Sequence, residues 1–349
     1  MRQIHMRDVT IQDVARAAKV GLGTASRALS GNGSVSSQTR QRVLEAASSL
    51  NYRPNRNAAS LRSKTTGTVA LLVPDIRNPF FTELTYWFET AMRAKGSTVL
   101  IGSAGEDHAQ ENDFLAQIMA QRVDGIVISP QSEDDTVIRQ VIEADIPLVL
   151  IDRPLKQLSV PVISSRPEPG MTEAVQNLAS HGHTCIGYLG GPQSLPIARD
   201  RYAAFLEALN EHGLPGTTHF VEWGNFSRDA GKIGTQALLK RGVTAILAAN
   251  GQLGTGVLEH CASSNQAIGP DLSLIVFDDY EYFRFISPSV SVIAQDIEGM
   301  GRIAADALVD CIAGKTAPDT YLPTVFIKRD SLRYAPPDMK ENRKGDSLH

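Results

Sequence analysis

Apolar runs of four or five residues recur between residues 67 and 335, and the stretches between them carry apolar positions at helical spacing. Continuous runs of this kind are typical of strands buried on both faces, as in parallel sheets covered by helices. About 270 residues are long for one open sheet, so the pattern predicts an α/β fold with two doubly wound parallel-sheet lobes. The runs are Val69–Val73, Thr98–Ile101, Gly125–Ser129, Leu148–Ile151, Cys185–Leu189, Ala245–Ala248 and Ser273–Phe277.

Residues 1–50 follow a different pattern, in which short helical segments alternate with polar breaks. Thr10, with Asp13 three residues on, is a capping-box variant at the start of a first helix, and Ser36 can cap a third. The break at 19–21 suits the tight turn of a helix-turn-helix. The pattern therefore predicts a three-helix head, with helices over Ile11–Ala18, Leu22–Leu29 and from Ser36 to about Leu50.

The charge distribution separates this head from the rest of the chain. Residues 1–66 contain eleven Lys and Arg against three Asp and Glu, a formal charge of +8. Because the whole chain is −4, residues 67–349 carry −12. A basic head on an acidic body is the asymmetry expected of a protein that binds nucleic acid. On charge alone, the alternative is a small helical bundle with a solvated basic face.

The second helix is the candidate recognition helix. Its small residues from Gly23 to Ser26 let the backbone approach a major groove closely, and Arg27 can pair with a guanine edge or a phosphate. Leu22 adds an apolar contact that suits a thymine methyl group. These features point to double-stranded DNA as a partner.

The head and the segments Tyr52-Arg53-Pro54-Asn55 and Ala58-Ala59-Ser60-Leu61-Arg62 closely resemble the lactose/galactose repressor family of bacterial transcription factors. The resemblance extends to about Tyr334, although Gly21 stands where the family usually has Ser. It implies a sequence-specific repressor, not an enzyme, that a small sugar releases from a pseudo-palindromic operator. The DNA-contacting residues that it implies are Ile11, Leu22, Gly23, Thr24, Ser26, Arg27, Ser36, Thr39, Asn55, Ala58 and Leu61.

Residues 51–66 form the predicted hinge, with a short helix over Asn55–Arg62. A helix of about two turns is marginal by itself, so we expect it to become ordered when the protein binds DNA. In the resembled family the leucine equivalent to Leu61 wedges into the minor groove and kinks the operator. The alternative is that Leu61 packs against the regulatory domain.

Aromatic and planar polar residues follow the predicted strands, where parallel sheets bind their ligands. Aromatic faces stack on the C–H-rich faces of sugars, while carboxylate, guanidinium and amide groups bond paired hydroxyls. The sequence therefore predicts a sugar site between the lobes. The candidate ligand residues are Asn78, Phe80, Phe81, Asp152, Arg153, Arg201, Phe226, Asn250, Phe277, Asp278 and Gln295.

Here the body resembles periplasmic sugar-binding proteins of the ribose type, position by position, which implies ribose or a related pentose as the effector. Phe80, Phe81 and Phe226 would sandwich the sugar ring. The resemblance implies lobe 1 over about 67–164 and 296–325, and lobe 2 over about 165–295 and 326–335. Two departures, Gly251 for a frequent Asp and Ser165-Arg166 for a frequent Asp-Asn, leave extra pocket volume for a nucleoside or another sugar as an alternative.

Several classes of function lack a sequence signal. Cys185, Cys261 and Cys311 show no metal spacing, and no phosphate loop, nucleophile elbow or cofactor motif is present. No apolar run reaches the roughly 18 residues of a membrane span and no secretory leader is recognisable, so we expect a cytoplasmic protein. The segment 336–349 is polar, which predicts a disordered tail. It has no leucine heptad, whereas tetrameric members of the resembled family use a leucine-rich helix there. The resemblance therefore implies a homodimer.

Four other functions are alternatives to a sugar-released repressor. A sugar-transport binding protein would share the body but not the basic head. A regulator that needs a purine or nucleoside corepressor would share both, and so would a transcription activator. An enzyme acting on a pentose or nucleoside could use Asp152 and Asp278 as a carboxylate pair, but nothing supplies a poised base, nucleophile or metal.

Overall fold

The computed structural model describes residues 9–30, 34–52, 66–134, 136–155, 157–214 and 220–335. The chain divides between Thr66 and Gly67 into two compact units, which correspond to the head and the body. The predicted hinge residues 53–65, with Asn55, Ala58 and Leu61, lie outside the described residues, and so does the predicted tail.

The described residues of the head form three helices, α1 (Ile11–Ala17), α2 (Leu22–Ser30) and α3 (Ser37–Ser49), each within a residue or two of its predicted bounds. The capping residues act as the sequence predicts. The Thr10 N–H and hydroxyl both donate to Asp13 Oδ2, at 3.0 and 2.7 Å, and Ser36 Oγ accepts from the Thr39 N–H at 3.3 Å. In the short turn between α1 and α2, Lys19 adopts a left-handed backbone conformation, with φ of 53°.

The core of the head consists mainly of alanine and valine, and this lets the three helices approach one another closely. The buried residues are Val14, Ala15, Ala18, Ala25, Ala28, Val43, Ala46 and Ala47. Each helix contributes at least two of them, so the small core fixes the orientation of α2 within the head.

The described residues of the body form two six-stranded sheets. The first has the order β11-β5-β4-β3-β1-β2 and is parallel throughout. The second has the order β12-β10-β9-β8-β6-β7 and is parallel except for the antiparallel pair β10–β12. The strands are β1 (Thr68–Val73), β2 (Thr98–Ser103), β3 (Ile126–Ile128), β4 (Leu148–Ile151), β5 (Val162–Arg166), β6 (Ile186–Gly190), β7 (Val221–Trp223), β8 (Ala245–Ala248), β9 (Ser273–Phe277), β10 (Ser291–Ala294), β11 (Thr320–Pro323) and β12 (Val325–Ile327).

The prediction of two doubly wound lobes is confirmed, and each of the seven apolar runs forms a strand. In the described part of the body, α-helices connect most of the strands, and the 3₁₀ helix Glu281–Arg284 follows β9. The α-helices of the body are α4 (Pro79–Ala94), α5 (His108–Ala120), α6 (Thr136–Glu143), α7 (Glu168–Ser180), α8 (Pro196–Glu211), α9 (Arg228–Lys240), α10 (Gly251–Ser264) and α11 (Ile297–Ile312).

The chain passes between the lobes three times, through very short segments. The crossings are Pro167 between β5 and α7, Gln295-Asp296 between β10 and α11, and Thr324 between β11 and β12. The sequence prediction divides the lobes near residues 164, 295 and 325. Thr324 is buried, accepts from the Gly170 N–H at 3.1 Å and donates to the Arg166 carbonyl at 3.0 Å, so two of the crossings are bonded together.

Candidate DNA-contacting helix and ligand cleft

Helix α2 presents one side to solvent and buries the other. Leu22 is 43% exposed although it is a large apolar residue, and Gly23 and Arg27 are exposed beside it. Ala25 and Ala28 face the core of the head. A Cβ atom added at Gly23 would meet no heavy atom within 4 Å, so this surface leaves room for a close partner.

The remaining described candidates for DNA contact have different environments. Thr24 and Ser26 are half-buried on α2. Ser36, exposed, lies at the N-terminus of α3 and donates to Thr39 Oγ1 at 2.9 Å. Ile11 is partly buried and packs against the core of the head. The structure thus groups Leu22, Gly23 and Arg27 on an open face.

In the body, the carboxyl ends of β4 and β9 place two aspartates in the same local conformation. Asp152 follows β4 with φ of 63°, and Asp278 follows β9 with φ of 81°. The left-handed region is uncommon outside glycine but tolerated by Asp. A neighbouring strand fixes the backbone at each aspartate. The Asp152 N–H donates to the Ile163 carbonyl at 2.8 Å, and the Asp278 N–H donates to the Ile293 carbonyl at 2.9 Å.

Nine of the eleven predicted ligand residues line one cavity between the lobes. Glu106 and Ile197, which the sequence analysis did not single out, also line it. The predicted residues in this lining are Asn78, Phe80, Phe81, Asp152, Arg153, Arg201, Phe226, Asn250 and Asp278. Phe277 and Gln295 are not part of this lining, but each contacts a residue that is: Phe277 contacts Arg201, and Gln295 contacts Asp278.

Phe277 is fully buried and supports Arg201. The guanidinium carbon of Arg201 lies 3.9 Å from the centroid of the Phe277 ring, a cation–π contact. Arg201 Nη1 donates to the Ala249 carbonyl at 2.7 Å. Arg201 lies in the second turn of α8.

Gln295, in a crossing between the lobes, orients Asp278. Its Nε2 donates to Asp278 Oδ1 at 2.6 Å, and its Oε1 accepts from Ser165 Oγ. The Gly251 N–H donates to Asp278 Oδ2 at 3.2 Å. Burial raises the pKa of Asp278, opposed by the positive charge of Arg201 and by the Gln295 hydrogen bond. Ser165, one of the departures from the family pattern, therefore belongs to the support of the cleft.

Arg153 makes a bidentate ion pair with Glu106, with Nη2–Oε1 and Nη1–Oε2 distances of 2.9 and 3.1 Å. Arg153 is 3% exposed, and its Nη1 also donates to the Pro130 carbonyl at 3.3 Å. A bidentate guanidinium–carboxylate pair fixes the plane of the guanidinium. The pair therefore holds Arg153 in one orientation at the cleft.

Asp152 lies between two arginines without hydrogen-bonding to either. Its Oδ1 is 3.9 Å from Arg201 Nη2, and its Oδ2 is 3.9 Å from Arg153 Nε. Burial raises the pKa of Asp152 to about 6, although the two arginines oppose this rise. Among the described residues, neither Asp152 Oδ1 nor Arg153 Nε has a hydrogen-bond partner. A buried acceptor and a buried donor therefore lie unpaired, on adjacent residues, in the lining of the cavity.

The three phenylalanines of the cleft are fixed by their neighbours. Phe80 and Phe81 are adjacent in the first turn of α4, with ring centroids 4.9 Å apart and an interplanar angle of 75°. The Phe226 ring lies directly on Gly191, where a Cβ atom would be 2.2 Å from the ring. Gly191 is thus required for the position of Phe226.

The cavity has a volume of about 20 Å³, room for about one water molecule. A wider cavity of about 420 Å³ shares Asn78, Glu106 and Phe226 with it and is lined largely by charged residues, among them Asp75, Arg228 and Asp229. A sugar can therefore occupy the inner cavity only if the side chains or the lobes move apart.

The extra space that the sequence suggests at Gly251 is absent. A Cβ atom added there would lie 2.1 Å from Cζ of Tyr280, whose ring fills the position. Tyr280 is 3% exposed. The small residue therefore accommodates a tyrosine of the same lobe and leaves no additional pocket volume at this point.

Glu106 and Ile197 had weak sequence signals. Glu106 follows β2 by three residues and has φ of 60°, so its signal in the sequence is its position close to a strand end. Ile197 lies in the first turn of α8 and is indistinguishable in sequence from a core residue.

Among the described residues no group of His, Cys, Asp and Glu side chains could hold a metal ion, and no helix is long and apolar enough to cross a bilayer.

Comparison with known proteins gives two family matches. Residues 10–55 match the model of bacterial regulatory proteins of the lacI family, and residues 175–332 match a periplasmic binding protein-like domain. The chain is 31% identical to the ribose operon repressor of Halalkalibacterium halodurans, over 93% of this chain and 97% of that protein.

Solved structures agree with these matches. The lac repressor dimer bound to operator and the anti-inducer ONPF superposes with a TM-score of 0.83 at 27% identity, covering 94% of this chain and all of that one. The complex of the regulator CelR with cellobiose gives a TM-score of 0.67 at 30% identity, covering 93% and 99%.

Proposed function

Because the chain belongs to the lacI family of bacterial regulatory proteins and is a DNA-binding transcriptional repressor, not an enzyme, we propose that a pentose such as ribose releases it from its operator. The similarity to a ribose operon repressor supports this choice of effector. As with the dimeric lac repressor, a homodimer would place two heads on a pseudo-palindromic operator.

The observation that carries the choice of a sugar is the unpaired Asp152 Oδ1 beside the unpaired Arg153 Nε. An unsatisfied buried polar atom costs roughly 1–3 kcal/mol, so a ligand that pairs both atoms recovers this cost. A hydroxyl group both donates and accepts hydrogen bonds. Two vicinal hydroxyls can therefore donate to Asp152 and accept from Arg153, while the faces of Phe81 and Phe226 suit C–H groups of a sugar ring.

If ribose is the effector, it should raise the Tm of the protein, and this shift should depend on Asp278 but not on the adjacent Asp279. D-Ribose at about 100 times its Kd should stabilise the wild-type protein by about 2.7 kcal/mol. Asp278→Ala should lose this response, because Asp278 lines the cavity. Asp279→Ala is the matched control. The Asp279 carboxylate pairs with Arg329 and Arg284, so this variant should have a lower baseline Tm but keep the ribose response.

Equal ribose responses in the two variants would contradict the placement of ribose in this cavity. Stabilisation by a purine or nucleoside and not by ribose would favour the corepressor alternative, for which the adjoining cavity of about 420 Å³ offers room. A response to cellobiose alone would point to a disaccharide, the ligand of the CelR complex.

A second prediction concerns Leu61, which lies outside the described residues. Leu61→Ala should weaken specific operator binding and leave ribose binding unchanged, since the proposed role of the leucine is to unstack a base step in the minor groove. Fluorescence anisotropy with a labelled operator measures the effect. Leu44→Ala, which truncates a 50% exposed leucine on α3, is the control. Unchanged operator affinity in Leu61→Ala would refute the wedge.

A further inference from the structure

Glu111 is a carboxylate on α5 that is fully buried and is not part of the cavity lining. Its Oε2 accepts from the Gln131 N–H at 2.8 Å, and its Oε1 has no partner among the described residues. Burying a carboxylate is costly unless it is paired and hydrogen-bonded, and an apolar residue avoids this cost. The bond from Glu111 to the backbone therefore points to a role beyond packing.

Glu111 holds one particular peptide group, the one between Pro130 and Gln131, which follows β3. The N–H of this peptide donates to Glu111, and its carbonyl accepts from Arg153 Nη1 at 3.3 Å. The carbonyl and the N–H of a trans peptide point in opposite directions. Glu111 and Arg153 therefore lie on opposite sides of the same peptide, with the carboxylate at its N–H and the guanidinium at its carbonyl.

The two side chains polarise this peptide in the same sense. An acceptor of negative charge at the N–H and a donor of positive charge at the carbonyl reinforce each other, as consecutive hydrogen bonds do in a medium of low dielectric constant. The Gln131 side chain adds to the connection, since its Oε1 accepts from Arg153 Nη1 at 3.4 Å and its Nε2 donates to the Ser129 carbonyl at 3.3 Å. Residues 129–131 thus form a support for Arg153.

This support is better shielded from solvent than the ion pair of Arg153 with Glu106. The Glu106 side chain is 35% exposed, whereas Glu111 is 0% exposed. Dissolved salt screens exposed charges much more than buried ones. The Pro130 carbonyl, fixed through its peptide by Glu111, is therefore the less screened of the two contacts that hold the guanidinium.

We propose that Glu111 is a positioning residue for the effector site, which acts on Arg153 through the Pro130–Gln131 peptide. Arg153 lines the inner cavity, and its Nε is the donor left for an effector. Without an acceptor at position 111 the peptide can turn, its carbonyl leaves Arg153 Nη1, and the guanidinium loses its buried support. The inference rests on the proposed function for its affinity readout.

Two substitutions separate the acceptor from the packing. Glu111→Leu fills much of the buried volume and removes the acceptor, whereas Glu111→Gln keeps an acceptor for the Gln131 N–H. The first readout is amide hydrogen exchange of the full-length protein without effector, in a peptide that covers residues 129–132. Exchange should be faster in Glu111→Leu and close to that of the wild type in Glu111→Gln.

The second readout is the Kd for D-ribose, measured by calorimetry. It should rise about two- to tenfold in Glu111→Leu, the range for the net contribution of one hydrogen bond, and return to within about twofold of the wild type in Glu111→Gln. Glu111→Ala, which also removes the acceptor, tests the same expectations if Glu111→Leu does not fold.

Leu115→Ala is the matched control. Leu115 is buried one turn further along α5, and its side chain has no polar atom to offer to residues 129–131. The variant should lower the Tm, because it leaves a cavity in the core. Exchange of residues 129–132 and the Kd for ribose should both remain at the wild-type values. A merely structural role of Glu111 would give the same pattern in Glu111→Leu.

The outcomes separate the inference from the proposed function. Faster exchange and weaker ribose binding in Glu111→Leu, both restored in Glu111→Gln, support the inference. Wild-type exchange or wild-type ribose affinity in Glu111→Leu overturns it, and so does a loss of affinity that Glu111→Gln does not restore. Faster exchange in Glu111→Leu, with no ribose binding by any variant or by the wild type, supports the hold of Glu111 on the peptide and overturns the pentose.

Discussion

Replacing Arg201 with alanine is expected to destabilise the body by about 3–5 kcal/mol, the cost of removing one partner from a buried charge cluster. Arg201 is the cation that opposes the raised pKa of both Asp152 and Asp278. Without it, two buried carboxylates remain in one cleft, and Phe277 and the Ala249 carbonyl lose their contact with the guanidinium. Ribose binding should be lost with it.

Arg199→Ala on the same helix is the control for this prediction. Arg199 pairs with Glu133 at 2.7 Å, but both side chains are about half exposed, and exposed ion pairs contribute roughly 0–1 kcal/mol. Urea denaturation of the two variants measures the difference through the midpoint at constant m. Similar losses of stability in the two variants would show that Arg201 is not part of a desolvated cluster.

Glu111 should make the stability of the body fall as the pH rises from about 4.5 to about 7. It is fully buried on α5, and burial raises its pKa from 4.5 to about 7 against the opposing hydrogen bond from the Gln131 N–H. Because the folded state holds this proton more tightly than the unfolded state, the contribution to stability is complete below about 4.5 and is lost as the pH passes through about 7.

Glu111→Gln removes the titration and keeps an acceptor for the Gln131 N–H, which Glu111 Oε2 accepts at 2.8 Å. Between pH 4.5 and pH 8 the free energy of unfolding of the variant should therefore rise by about 3 kcal/mol relative to that of the wild type, since each pKa unit corresponds to about 1.4 kcal/mol. Asp113→Asn, at an exposed position of the same helix, controls for the loss of one negative charge. Parallel pH profiles of wild type and Glu111→Gln, from urea denaturation, would contradict the prediction.

The elements that sequence predicts best here are those with a single environment along their length. Leu148–Ile151 is buried at every position, and its predicted bounds match β4. In contrast, β11 has the alternating, half-exposed pattern of an edge strand and only four residues, so its pattern is too weak to be recognised. Its place in the sheet is set by pairing with β5, more than 150 residues earlier.

In the candidate site, too, contacts between distant segments decide what sequence alone does not predict. Phe80 and Phe277 are both aromatic residues close to a strand end, but Phe80 lines the cavity and Phe277 lies beneath Arg201. Sequence identifies the residue type at a strand end, whereas the direction of the side chain depends on packing against distant helices. Tyr280 had no signal of its own, because its partners Gly251 and Asn78 lie in other segments of the chain.

The short crossings limit the kind of motion that can carry a signal through the body. Thr324 alone joins β11 to β12, and one extended residue spans about 3.5 Å, so the sheets cannot slide apart at this point. They can turn about it, since a few backbone torsions at Pro167, Gln295-Asp296 and Thr324 suffice for a rotation. A rotation about the crossings would turn a displacement of a fraction of an ångström beside them into a larger displacement at the far ends of the lobes.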